Sequence, residues 1–453
     1  SPIRSCRYSG DNGSMTLNLK REKHCMNTQK LIQMTTAAML LGAAMAGQAQ
    51  QCESWQRVDT PSPGSVRNFF VDAEEANGTV YALMFSTDSP QVRPPGEYHV
   101  LRRDGNTWTD LGGPDDEALG PFVTEYQALG VAPDGTLYVG GWFFPLSIGR
   151  DPAPAMAVSD GSGSWSTPQE IQIPDTVVEP TARRSALINS IEVAPNGTVI
   201  AAGLAGGFGG GEQGIDTSVP LFLTNDGSGW VETGVEPGQD WPGGGTQGTG
   251  TFINDALAVA ADDIWLAGRH NANGTINGGL ILHWDGTTLN VIEDPDETGG
   301  GLFLGRDFEG IDGDPLTGLH AVGGNLFEQE PLGSMALFDG VDWELLPTPW
   351  LTSVVEELAT ASDIVVAADG TAWASTFFGA AQTPFYDGSE WSLRPFVPAQ
   401  DVADGASIRY MAEATDNGSL WGFGKIDLPA GSFNGSSYAI TCGDIVFASG
   451  FES

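Results

Sequence analysis

Seven short apolar segments each open on a polar residue: Asn68, Gln127, Asn189, Asp255, Asp307, Ser362 and Arg409. The segments read NFFVDAEE, QALGVAPD, NSIEVAPN, DALAVAAD, DFEGIDGD, SDIVVAAD and RYMAEATD. Brought to one place, these amides, carboxylates, hydroxyl and guanidinium could hydrogen-bond a small or sugar-like ligand. Trp142, Phe143 and Phe144, from a neighbouring stretch, would add an aromatic wall. Arg409 is the one cation of the seven, so an anionic group is expected against it. The competing reading is a wet surface that needs no ligand.

Other chemistries find less support. Asp294, Asp296 and Glu297 in DPDETGG, and Asp312 and Asp314 in DGDPLTG, are oxygen-rich and would suit Ca²⁺. Neither run has the Asp-x-Asp-x-Asp-Gly cadence of a dedicated calcium loop, so solvated turn carboxylates are the simpler reading, and no intrinsic cofactor is expected. His99 and His270 have no partner at zinc-ligand spacing, while His283 and His320 fall in strand patterns and read as packing. No H-E-x-x-H or G-x-S-x-G occurs. GGGEQG (209–214) matches G-x-G-x-x-G but does not open a helix after a strand, which disqualifies it as a dinucleotide loop. Asn-Gly-Thr at 77, 196 and 273 reads as turns.

What must position these residues follows from composition and repeats. The 453 residues include 62 Gly and only 17% charged residues, with short apolar runs and no long amphipathic helical pattern, which favours an all-β chain. Residues 26–49, from Met26 through an apolar segment to small residues, have the pattern of a secretory signal peptide, with cleavage expected after Ala49 or Ala46. Residues 1–25 then read as a mis-assigned upstream extension containing Cys6 and Cys25. The net charge of −39 disfavours nucleic acid and anionic membranes as partners. It suits solubility, or else cation binding. No membrane span is expected once the signal peptide is removed.

Each of the seven segments runs into a tight turn and a second strand: TVYALM, TLYVGG, TVIAAG, DIWLAG, GLHAVG, TAWAST and SLWGFG. One column of these strands holds Tyr81, Tyr138, Ile200, Trp265, His320, Trp373 and Trp421. Three residues later come Met84, Gly141, Gly203, Gly268, Gly323, Thr376 and Gly424. A third strand leads to Asp-Gly, and a fourth usually carries Trp: Trp108, Trp165, Trp230, Trp343 and Trp391. Four antiparallel strands repeated seven times make a seven-bladed β-propeller spanning residues 50–442. The seventh unit stops after three strands, at SSYAITC (436–442). CESWQRVD (52–59) carries the missing fourth, with Cys52 three residues before Trp55, the spacing from Gly to Trp elsewhere. The N-terminal strand is therefore expected to complete the last blade, with a Cys52–Cys442 disulfide in place of the Asp-Gly turn.

The repeated D-G-x-x-W and D-G-T-x-W elements resemble those of secreted bacterial propellers of the kelch, two-component-regulator and Asp-box types. The tail GDIVFASGFES (443–453) resembles short endings on exported proteins of some Gram-negative bacteria. That resemblance implies secretion to the periplasm, cell surface or medium. It also implies a binding or surface-interaction module, with a carbohydrate or protein ligand on the face carrying the long loops 203–218, 236–250 and 294–305. The alternative is a carbohydrate-active hydrolase or lyase on the same scaffold. Against it, no Tyr-Glu pair joins Arg150, Arg306, Arg394 or Arg409 in the manner of a sialidase.

Overall fold

The structure, a computed structural model, describes most residues between Trp55 and Cys442. It leaves out the ends of the chain and several connections, the longest being 172–185, 206–218, 234–249, 294–302 and 349–360. Every named element is a strand. Strand β1 (Gln56–Val58) comes first in the chain. Blade 1 is β2 (Arg67–Ala76), β3 (Thr79–Thr87), β4 (Glu97–Asp104) and β5 (Thr107–Asp110). Blade 2 is β6 (Val123–Val131), β7 (Leu137–Phe144), β8 (Ala153–Ser159) and β9 (Gln169–Glu170). Blade 3 is β10 (Ala186–Val193), β11 (Val199–Ala205), β12 (Val219–Asn225) and β13 (Val231–Glu232). Blade 4 is β14 (Gly250–Ala260), β15 (Asp263–Ala272), β16 (Thr275–Trp284) and β17 (Leu289–Glu293). Blade 5 is β18 (Phe308–Asp314), β19 (Gly318–Asn325), β20 (Leu332–Phe338) and β21 (Trp343–Leu345). Blade 6 is β22 (Ala361–Val366), β23 (Ala372–Thr376), β24 (Gln382–Tyr386) and β25 (Trp391–Pro395). Blade 7 is β26 (Ala406–Ala414), β27 (Ser419–Asp427) and β28 (Gly435–Cys442), completed by β1.

The chain is thus a seven-bladed β-propeller, and its ends close it. Strand β1 pairs antiparallel with β28: Gln56 faces Thr441, Arg57 faces Ile440 and Val58 faces Ala439. Tyr438 donates its hydroxyl hydrogen to Asp401 (2.8 Å), which also lies 3.8 Å from Arg57. One detail differs from the expectation. In blade 6 the Trp391 of the outer strand faces Tyr386, the residue before the turn Asp387. Continuing the β1–β28 register puts Trp55 opposite Cys442, so Cys442 holds the position before the turn Asp rather than that of the Asp itself. Cys52 lies outside the described residues.

Tight turns follow one local rule. In eight of them an Asp or Asn carboxyl or carbonyl oxygen accepts the amide hydrogen two residues on, as from Asp134 to Thr136 (2.9 Å) and Asp387 to Ser389 (2.9 Å). The Gly between them takes a positive φ, 89° at Gly135 and 92° at Gly388, which a side chain would oppose.

Between blades, the outer-strand tryptophan packs on the second-strand aromatic of the blade before it. Trp108 meets Trp421 at 5.4 Å, Trp55 meets Trp373 at 5.4 Å, Trp343 meets Trp265 at 6.2 Å and Trp391 meets His320 at 5.9 Å. The repeated Trp is core: edge-on aromatic pairs bury large area and fix the angle between neighbouring sheets.

Candidate functional site at the channel mouth

The first strand of every blade is broken by a bulge at the same place. The register slips between Phe70 and Asp72, Tyr126 and Ala128, Ile188 and Ser190, and Ile253 and Asp255. It slips again between Phe308 and Gly310, Ala361 and Asp363, and Ile408 and Tyr410. A bulge leaves one residue unpaired and bends the strand. The seven unpaired residues are Val71, Gln127, Asn189, Asn254, Glu309, Ser362 and Arg409.

The glycine column makes the bulge possible. A Cβ on Gly141, Gly203, Gly268 or Gly323 would run into the carbonyl oxygen of Glu125, Leu187, Phe252 or Asp307 on the bulged strand. Met84 and Thr376 stand at the equivalent positions of blades 1 and 6, and nothing in the contacts explains how those blades accept a side chain there.

All seven unpaired residues line one cavity of ≈ 740 Å³ at the end of the channel, within the range of small-molecule sites. Some are tied to the next blade. Asn189 donates Nδ2–H to the Ile253 carbonyl (2.8 Å), Asn254 to the Phe308 carbonyl (2.8 Å), and Ser362 donates its hydroxyl to the Arg409 carbonyl (2.9 Å). Gln127 has no such bond among the described contacts, so its amide is available to a ligand. Arg67 and Arg269 line the same cavity. Arg269 is held by Asp307 (2.6 Å) and, more loosely, by Glu309 (3.7 Å), and lies over the Phe252 ring. Glu309 is pushed up to about 8 by burial, with the Asp307 charge adding and Arg269 opposing.

Of the residues expected from the sequence, Gln127, Asn189, Asp255, Ser362 and Arg409 come together on the cavity wall. Asn68 does not. It is buried, and its amide group exchanges hydrogen bonds with the Gly64 backbone. Asp307 is buried one layer back as the partner of Arg269. Trp142 and Phe143 are buried in β7, paired with Glu125 and Thr124, and are not on the lining; the Phe144 side chain lies outside the described residues. Asp312 and Asp314 do not share a site: Asp312 bonds the Gly313 and Val366 amides, and Asp314 caps its turn through the Leu316 amide. Asp294, Asp296, Glu297 and most of the long loops lie outside the described residues.

Asn254 and Glu309 escape the sequence pattern because the residue that closes each segment follows the unpaired residue by eight positions in blade 4 and five in blade 5, against seven in blades 2, 3, 6 and 7. The second-strand glycine was the better anchor. Counting back 14 residues from Gly141, Gly203, Gly268 and Gly323 lands on Gln127, Asn189, Asn254 and Glu309.

No family model and no curated protein matches this chain. Solved structures do. YCF48 from Cyanidioschyzon merolae is 13% identical over 86% of this chain and 98% of its own, with a TM-score of 0.48. PorZ, a surface component of the type-IX secretion system of Porphyromonas gingivalis, is 16% identical over 85% of this chain and 48% of its own, with a TM-score of 0.49. A protein of unknown function from Dyadobacter fermentans is 12% identical over 86% and 99%, with a TM-score of 0.47. The assignment as a seven-bladed propeller rests on the strand pairing of this chain itself.

Proposed function

We propose that the protein is a binding module whose site is the channel mouth. One observation carries this: seven bulges aim seven side chains, six of them polar, into a single ligand-sized cavity. Gln127, the exposed Arg409 and the flanking Arg67 give that cavity amide and guanidinium donors. Such donors suit a hydroxyl-rich ligand with an anionic group, such as an acidic saccharide. A panel of neutral and acidic polysaccharides, read for both binding and product release, tests this. Arg409→Ala and Gln127→Ala should each weaken binding by about tenfold or more with an unchanged melting temperature. Unchanged affinity in both variants would move the site off the mouth.

A second reading is favoured by Glu309. A mouth carboxyl pushed up to about 8 is protonated at neutral pH, the state a general acid of glycoside hydrolysis requires. In that case Glu309→Gln would abolish product release and leave binding intact.

We infer further that the chain is exported and sealed by a Cys52–Cys442 disulfide. Its support is the β1–β28 pairing, together with the burial of Cys442 beside Trp55. Peptide mapping of the secreted protein without reductant should yield one cross-linked peptide joining the two ends. Two alkylatable thiols would refute the pairing.

A further inference from the structure

Below the mouth, two tiers of carboxyl groups line the channel. The upper tier is Asp72, Asp255 and Asp363, each directly after the bulge of blades 1, 4 and 6. The lower tier, two residues further on, is Glu74, Glu192 and Asp312 of blades 1, 3 and 5. Together with Glu75 they line a second cavity of ≈ 270 Å³ that has no Lys, Arg or His on its wall among the described residues.

Each upper-tier Asp bridges two blades. Asp72 accepts the amide hydrogens of Ala73 (2.9 Å) and of Leu129 in the next blade (2.7 Å). Asp255 does the same with Ala256 (2.8 Å) and Ile311 (2.9 Å), and Asp363 with Ile364 (2.7 Å) and Met411 (2.7 Å). In the lower tier, Asp312 accepts from Gly313 (2.7 Å) and from Val366 of the following blade (2.7 Å), and Glu192 from the Ala258 backbone. These bonds pin five of the six carboxyls in place, so they cannot swing apart to relieve mutual repulsion.

We propose that this acid-lined channel couples closure of the blade ring to pH: it takes up protons as the medium is acidified from pH 8 to pH 5, and the fold becomes more stable as it does.

Water reaches part of each side chain, yet protein surrounds it, and that enclosure disfavours the charged form. Asp72 is raised to about 8 and Asp255 to about 6 by burial, against the pull of their backbone bonds. Asp312 is raised to about 6, and Glu74, Glu192 and Asp363 well above their usual range, burial again leading. For Glu74, Glu192 and Asp363 the charges of the facing carboxyls come second. The groups that face the tiers from other strands are Glu125 of β6, Glu309 of β18 and Tyr410 of β26, with Arg67, Arg269 and Arg409 at the mouth. The three cations flank the upper tier only.

A group raised on folding binds more protons in the native state. Its contribution is complete below its unfolded value, about 4 for a carboxyl. It is lost as pH rises through the folded value, here about 6 to 8. Two other sets of groups titrate as well. The turn carboxylates, lowered by their hydrogen bonds, titrate below that window. His320, lowered to about 4 by burial from the usual 6.5, acts inside the window and in the opposite sense, but it is one group against six.

Potentiometric titration of the whole protein, native and in guanidinium chloride, tests the inference without any ligand. Between pH 8 and 5 the native state should bind roughly three or more additional protons relative to the unfolded chain. The melting temperature at constant ionic strength should rise over the same range. Asp72→Asn combined with Asp363→Asn mimics the protonated form and keeps one acceptor oxygen at each site. This double variant should melt higher than wild type at pH 8 and show a shallower rise toward pH 5. Equal proton uptake by the two states, or a melting temperature that is flat or falling toward pH 5, would overturn the proposal. So would an unchanged slope in the double variant. If the double variant does not fold, the wild-type titration decides alone.

Discussion

Asp285 and Asp363 show what position does to one residue type. Asp285 sits in the turn between β16 and β17, fully exposed. It accepts the Thr287 and Thr288 amides and the Thr287 hydroxyl, and is lowered to about 2, with the hydroxyl bond the leading cause. Asp363 in β22 also accepts two backbone amides, one from Met411 in the next blade, yet it is raised well above its usual range. The hydrogen bonds act in the same direction at both sites. Desolvation, helped by Asp255 and Asp72 across the channel, reverses the outcome at Asp363. The turn carboxylate is a local device that shapes four residues. The channel carboxylate joins two blades and is held there at an electrostatic cost.

The largest test of this contrast is Asp363→Ala. It leaves the Ile364 and Met411 amides without their acceptor between two blades, so a loss of about 2–4 kcal/mol is expected in denaturant unfolding. Asp363→Asn keeps one acceptor oxygen and removes the buried charge, so at pH 8 it should show no such loss. Equal losses for the two would mean that packing, and not the bridge, sets the role of this residue.

Gly268→Ala probes the bulge that turns Asp255 into the channel. The new Cβ would meet the Phe252 carbonyl oxygen on β14, and neither strand can withdraw without breaking its pairing. Overpacking of this kind costs about 1–3 kcal/mol. Gly286→Ala, at a turn where φ is +84°, should be strained too, but without loss of the channel bonds. Native-state hydrogen exchange at the Ile311 amide, which Asp255 accepts, would separate the two: faster in Gly268→Ala, unchanged in Gly286→Ala.

These contrasts explain what could be read from the sequence. Asp285, Asp339 and Asp387 announced themselves because Asp-Gly needs only its neighbours to form a turn. The Trp repeats were legible for a similar reason, since a large aromatic at a fixed distance from a turn has one face to bury. The closing strand was legible from the Cys52–Trp55 spacing, although the register at Cys442 was off by one. Asp72, Glu192 and Asp363 carried no such mark. In NFFVDAEE or SDIVVAAD an acid within an apolar strand looks like its exposed edge, and only closure of the ring shows that the edge faces other acids. Asn68, Asp255 and Asp307 fall out of register for a different local reason: the segment-closing residue follows the unpaired one by four, eight and five positions in blades 1, 4 and 5, against seven in the other blades.

His320 isolates burial from charge crowding. It lies 2% exposed between Tyr386 and Trp391, where the other blades carry mainly Tyr or Trp, and burial lowers it to about 4. The unfolded chain protonates it near 6.5, so its stability contribution is complete above that value and is lost as pH falls toward 4. His320→Phe removes this liability and keeps an aromatic ring in the column. At pH 5 the variant should be more stable than wild type by about 1–2 kcal/mol, with a smaller gain at pH 8. A gain of equal size at both pH values would show that ring packing, and not titration, is responsible.

The smallest effect is expected at Asp285 itself. Its folded value of about 2 lies below the usual 3.8, so its contribution is present above about pH 4 and fades as pH falls through 2. Exposure and solvent screening keep that contribution small. Asp285→Asn retains a side-chain oxygen for the Thr287 and Thr288 amides, and at neutral pH its melting temperature should be nearly that of wild type. Asp285→Ala removes the acceptor and should melt slightly lower at neutral pH, the difference from wild type closing by pH 2. The effect should be confined to the β16–β17 hairpin, visible as faster amide exchange at Thr288 and no change at Leu129 or Met411. If exchange at those two channel amides also rose, the turn and channel carboxylates would belong to one cooperative unit, and the separation drawn between them would fail.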